Sequence, residues 1–162
     1  MKAESKLAFA GNQAAGQKMV KPISEYTDRT DLRNLMANGK RLNRDDIWRE
    51  SFRRLCALDG IDQTDPLHRD FYQTLAAYEQ LLTEKNGRTT PASRTRQKLK
   101  NKGVVQCLED WAVGSVPTEG FDLLVKNGMV ELTGEYLVLK DPDRFSTKAV
   151  AAAKARLEHS DV

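Results

Sequence analysis

Seven cationic side chains, Lys85, Arg88, Arg94, Arg96, Lys98, Lys100 and Lys102, fall between Lys85 and Leu108 with no Asp or Glu among them. The chemistry open to such a set is recognition of a polyanion: each ammonium or guanidinium that neutralises a phosphate releases condensed counterions. The whole chain has 26 Lys and Arg against 23 Asp and Glu, a net charge of +3; without these seven, 19 basic residues face 23 acidic ones. The remainder is therefore net negative, and a nucleic acid would be drawn to this segment and repelled elsewhere. Arg94 and Arg96 are the candidates for a base contact, because a guanidinium fork pairs bidentately with guanine whereas a lysine acts as a point charge. The hydroxyls of Thr89, Thr90 and Ser93 add uncharged donors suited to phosphate oxygens.

Other chemistry finds no comparable set. The chain holds no serine nucleophile elbow, HExxH, P-loop or dinucleotide-binding glycine pattern, so it nominates no catalytic residue and no cofactor. Cys56 and Cys107 each sit in an apolar helical pattern and read as buried thiols, and His68 and His159 stand apart from any partner at metal-ligand spacing. A metal-dependent nuclease would need converging carboxylates, for which Asp65, Asp70, Glu79 and Glu84 with Lys85 are the available residues. Asp70 and Glu79 are nine apart and do not share a helix face, which makes the nuclease reading the least favoured.

The basic residues need an element to carry them. Thr90 followed by Pro91 reads as a helix start, so PASRTRQKLKNK, residues 91–102, is expected to be helical. Leu99, helped by Ala92 and Thr95, offers this helix its only core-facing stripe, and like charges three and four residues apart repel one another by a few tenths of a kcal/mol per pair (about 0.2–0.5). An external anion would offset that cost. The break at Gly103 followed by VVQCLEDWA has the layout of a helix-turn-helix, yet Val104, Val105, Leu108 and Trp111 in the second helix belong in a core rather than a DNA groove. The helix before Gly103 must then make the contact.

The surrounding elements follow from caps and spacing. A short helix capped by Thr30 and running through Asn38, ended by Gly39, precedes a stronger one capped by Asn43 with Ile47, Trp48, Phe52, Leu55 and Cys56 as its apolar stripe. Asp65 as cap, Pro66 at the first helical position and Leu67, Phe71, Leu75, Tyr78, Leu81 and Leu82 at helical spacing mark the clearest helix, closed by Asn86 and Gly87. Thr118 caps another that ends at Asn127 and Gly128. For VELTGEYLVLK the apolar spacing leaves two readings: a β-hairpin near 130–139, or a short helix from Gly134 to Lys140, which is preferred. The hairpin would complete a winged-helix arrangement, but its recognition helix would carry Glu119 and Asp122 against a single Lys126. A turn at DPDRF leads to a terminal helix from Ser146, with Val150, Ala153 and Leu157 on its buried face.

The expected fold is mainly α, a compact bundle of about six to seven short helices. A flexible arm at residues 1–22, carrying Lys2, Lys6, Lys18 and Lys21, precedes a single helical domain over 23–162. Apolar runs are too short to cross a bilayer and the N-terminus lacks an apolar signal core, so a cytoplasmic protein without a membrane partner is expected. The favoured function is a small nucleic-acid-binding protein of regulatory or accessory type, with duplex DNA preferred over RNA. The alternative is a helical adaptor whose basic segment takes an acidic protein partner.

Overall fold

The computed structural model describes residues 21–160, and every regular element among them is helical. Backbone contacts group the chain into two compact units, Met1–Asp59 and Gly60–Val162. The first contains a 3₁₀ turn, Ile23–Glu25, and two helices, α1 (Arg29–Arg41) and α2 (Asp45–Ala57). The second contains α3 (Pro66–Asn86), α4 (Ser93–Val113), α5 (Glu119–Lys126), α6 (Gly134–Lys140) and α7 (Thr147–Ser160). Of the expected N-terminal arm, residues 1–20 lie outside the described residues.

In the first unit α1 and α2 pack face to face, burying Leu32, Leu35 and Met36 against Ile47, Trp48, Phe52 and Leu55. Each such side chain contributes about 1.5–3 kcal/mol on full burial. The cap of α1 is Asp28 rather than Thr30: its carboxylate accepts the N–H groups of Thr30 and Asp31 at 2.7 and 3.0 Å. Gly39 does not end the helix. It is buried inside it, where a Cβ would stand 2.9 Å from the Trp48 nitrogen, so the glycine lets the two backbones approach. Asn43, expected as the α2 cap, lies in the intervening turn at φ 56. Arg44 takes the cap position and grips Asp46 through Nε and Nη2 at 2.9 and 2.7 Å. That bidentate grip is the main reason the Asp46 carboxyl drops to about 2.

The second unit is built on α3 and α4. Leu67, Phe71 and Leu75 of α3 meet Val104, Cys107, Leu108 and Ala112 of α4, with Leu137 and Val138 of α6 and Ala149 and Ala153 of α7 completing the core. Phe71 stacks on Trp111 at 5.5 Å between ring centroids. The local signals for α3 are realised: Asp65 accepts the Leu67 N–H at 2.9 Å, Pro66 opens the helix and Asn86 closes it. In α5 the Thr118 hydroxyl accepts the Phe121 N–H at 3.1 Å. Residues 130–139 form no hairpin. A 3₁₀ turn, Val130–Leu132, leads to α6, which Thr133 caps by accepting the Tyr136 N–H at 3.2 Å. The start of α7 is set by Ser146, whose hydroxyl accepts the Ala149 N–H and donates to Glu109.

The helix α4 is bent. Gly103 sits at φ 84 and ψ 174, a backbone region open in practice only to glycine, and it separates Ser93–Lys102 from Val104–Val113. Beyond the far end, Arg156 donates to the carbonyls of Trp111 and Gly114 at 2.8 and 2.6 Å and to the Glu135 carboxylate at 2.9 Å. These bonds satisfy carbonyls that a helix terminus leaves open. Burial pushes the Glu135 carboxyl above its ordinary pKa, against the pull of Arg156.

Candidate nucleic-acid interface

The basic segment begins where α3 ends. Lys85 lies in the last turn of α3, Arg88 in the connecting loop, and Arg94, Arg96, Lys98, Lys100 and Lys102 in the first half of α4. The loop is folded by its own hydrogen bonds: the Thr90 N–H donates to the Thr83 hydroxyl at 3.0 Å and the Thr90 hydroxyl donates to the Arg88 carbonyl at 2.8 Å. Thr90 is thereby spent on loop geometry, and the helix starts at Ser93 rather than at Pro91. Glu79 of α3 supplies the fastening. Its carboxylate accepts the Ala92 N–H at 2.7 Å and both Nε and Nη2 of Arg96, at 2.7 and 2.6 Å.

Helical spacing then sorts the side chains. Ala92 is buried and Leu99 half-buried against the core of the second unit. Residues four apart share a face, so Arg94, Lys98 and Lys102 run along one flank of the helix and Arg96 and Lys100 along the other. Between the flanks, Ser93, Gln97 and Asn101 form the outermost line, all three exposed and uncharged. The Gln97 amide donates weakly to Asn101 Oδ1 at 3.4 Å. Neither polar side chain stood out in the sequence, although their spacing inside the basic run was visible there.

Four of the seven cations are paired within the protein. Lys85 meets Glu119 at 2.7 Å, Arg96 meets Glu79, and Lys98 and Lys102 both approach Asp110, at 3.2 and 3.8 Å. The Gln106 amide, donating at 2.8 Å, and then Lys98 hold the Asp110 carboxyl below its usual range. Such half-exposed pairs contribute little, about 0–1 kcal/mol each. Arg88, Arg94 and Lys100 form no ion pair with any described residue and are exposed. Beside the bend at Gly103 a shallow groove of ≈ 410 Å³ is lined by His68, Tyr72, Arg96, Leu99, Lys100 and Val104. His68 and Tyr72 enter the surroundings of the basic helix only through the fold, because α3 carries them there.

The carboxylates that a nuclease would need together are occupied separately. Asp65 binds Arg144 at 2.8 Å, Asp70 binds Lys140 at 2.7 Å, Glu79 binds Arg96, and Glu84 accepts from Gln80 at 3.4 Å. Among the described residues no three His, Cys, Asp or Glu side chains gather where they could hold a metal ion. Nor is any described helix long and apolar enough to cross a membrane. Both cysteines are buried, and burial raises both thiol pKa values. Known protein families, curated proteins and solved structures provide no match to the chain.

Proposed function

We propose that the protein binds nucleic acid, duplex DNA in preference to RNA, by laying residues Ser93–Lys102 against the phosphate backbone. The observation that carries this reading is the cross-section of that helix: an exposed line of Ser93, Gln97 and Asn101 between two cationic flanks, with no acid on any of the three. A helix of this kind suits the major groove of DNA, where flanking cations meet phosphates and central amides face base edges. Because the Arg96 fork is occupied by Glu79, base contact falls to Gln97 and Asn101, which can pair bidentately with adenine, while Arg94 stays with the phosphates. The role that this reading assigns to the protein is regulatory or accessory.

A second reading has one specific observation in its favour. Lys85, Arg96, Lys98 and Lys102 already hold carboxylates of the protein itself, so the same segment suits an acidic protein partner. Fluorescence anisotropy with labelled duplex DNA and single-stranded RNA, across a salt series and with polyglutamate as competitor, separates the two. The nucleic-acid reading expects affinity for duplex that falls steeply with salt and resists polyglutamate. Binding displaced equally well by polyglutamate favours the adaptor, and no binding to either polymer at low salt rejects the nucleic-acid reading.

A further inference from the structure

We propose that the groove between α3 and α4 beside Gly103 is a site for one unpaired nucleotide, a base with its phosphate, belonging to the nucleic acid laid along Ser93–Lys102. The groove, ≈ 410 Å³, is lined by His68 and Tyr72 of α3 and by Arg96, Leu99, Lys100 and Val104 of α4, with Gly103 at the bend. The inference rests on the nucleic-acid reading and names what the same surface does with a nucleotide that stands out of a duplex.

Helical spacing builds the groove. On α3, His68 and Tyr72 are four apart; on α4, Arg96, Leu99, Lys100 and Gly103 stand at i, i+3, i+4 and i+7. Such spacing puts each set on a single helix face, and the groove is the furrow where the two faces meet. Val104 is buried and Leu99 half-buried, so the floor is apolar. Gly103 adds open space, since a Cβ there would meet no heavy atom within 4 Å. The volume falls within the range of about 300–1,000 Å³ that holds one small molecule, which suits a single nucleotide.

Charge selects the occupant. No Asp or Glu lines the groove, and of the three lining groups that can carry positive charge two are already matched. Glu79 holds Arg96 through both Nε and Nη2, and Asp65 lies 3.6 Å from His68. Lys100 is exposed and forms no ion pair with any described residue, which leaves one cation for one phosphate. A cation beside a ring and aliphatic side chains is the combination by which proteins hold unpaired nucleotides, the phosphate on the charge and the base on the ring. An acidic peptide would use the charge and leave Tyr72, Leu99 and Val104 without a role.

The test is a titration of the full ¹⁵N-labelled chain with thymidine 5′-monophosphate, thymidine and inorganic phosphate, followed by amide shifts. Saturable shifts at Tyr72, Leu99, Lys100, Gly103 and Val104 are expected with the monophosphate, and weaker ones with either fragment. Lys100→Gln should remove the advantage of the monophosphate over thymidine without changing the melting temperature. In anisotropy, a duplex with one unpaired thymine should bind about tenfold more tightly than its fully paired counterpart. Absence of saturable shifts at these amides with the monophosphate, equal shifts with inorganic phosphate alone, or equal affinity for the two duplexes overturns the proposal and leaves the nucleic-acid reading standing. Failure of both duplexes to bind at low salt rejects that reading, and the proposal with it.

Discussion

On the C-terminal side of Gly103, α4 buries Val104, Cys107, Leu108 and Ala112; on the N-terminal side, Ser93–Lys102 buries none of its own residues fully, and its one large apolar side chain, Leu99, is half-covered. The two halves are separated by the non-helical backbone at Gly103 and are held in different ways. Hydrophobic contact holds the far half, while the near half is held by Glu79 from a neighbouring helix and by pairs with Asp110. A stretch that stays helical with little apolar burial, and whose cations face outward, has its side chains available for another molecule.

Substitutions on the two sides should therefore differ in kind. Leu108→Ala, at a fully buried site, is expected to cost about 2–5 kcal/mol in urea unfolding, whereas Leu99→Ala should cost no more than about 1 kcal/mol. Equal costs would remove the distinction. Glu79→Ala withdraws the acceptor of both the Ala92 N–H and the Arg96 fork, and should lower stability by about 2 kcal/mol with the loss of protection concentrated in residues 92–96 on hydrogen exchange. At the boundary, Gly103→Ala places a side chain at φ 84 with open space around it, so any cost, about 1–3 kcal/mol, comes from backbone strain alone.

The smallest effect concerns pH in the first unit. Asp46 is depressed to about 2 in the folded protein, so its contribution is present above the unfolded value of about 4 and is lost as pH falls through about 2. Asp46→Asn should flatten that part of the acid-unfolding profile by losing the contribution at neutral pH and leaving stability below pH 2 unchanged, and the loss is small because the pair is exposed.

The sequence was most informative where signals are local. Asp65, Pro66 and Asn86 bracket α3, Thr118 opens α5, Ser146 opens α7, and Gly134–Lys140 is helical, all from neighbours within four residues. It misled where one residue type serves two purposes: Gly39 resembles a terminator but serves close packing against Trp48. The pairing of the cations was hidden for a different reason. Glu79 and Glu119 lie 17 and 34 residues from the cations they bind, and only the tertiary fold brings them together.

The central claim is that the outward cations, and not the paired ones, make the phosphate contacts. The direct measurement compares the salt dependence of duplex binding for the wild type with a variant carrying Arg88→Ala, Arg94→Ala and Lys100→Ala, and with one carrying Lys85→Ala and Lys102→Ala. Each lost phosphate contact reduces the slope of log K against log salt by about 0.9, so the triple variant should lose roughly 3 units of slope and the double variant little. A triple variant that keeps the wild-type slope would contradict the account.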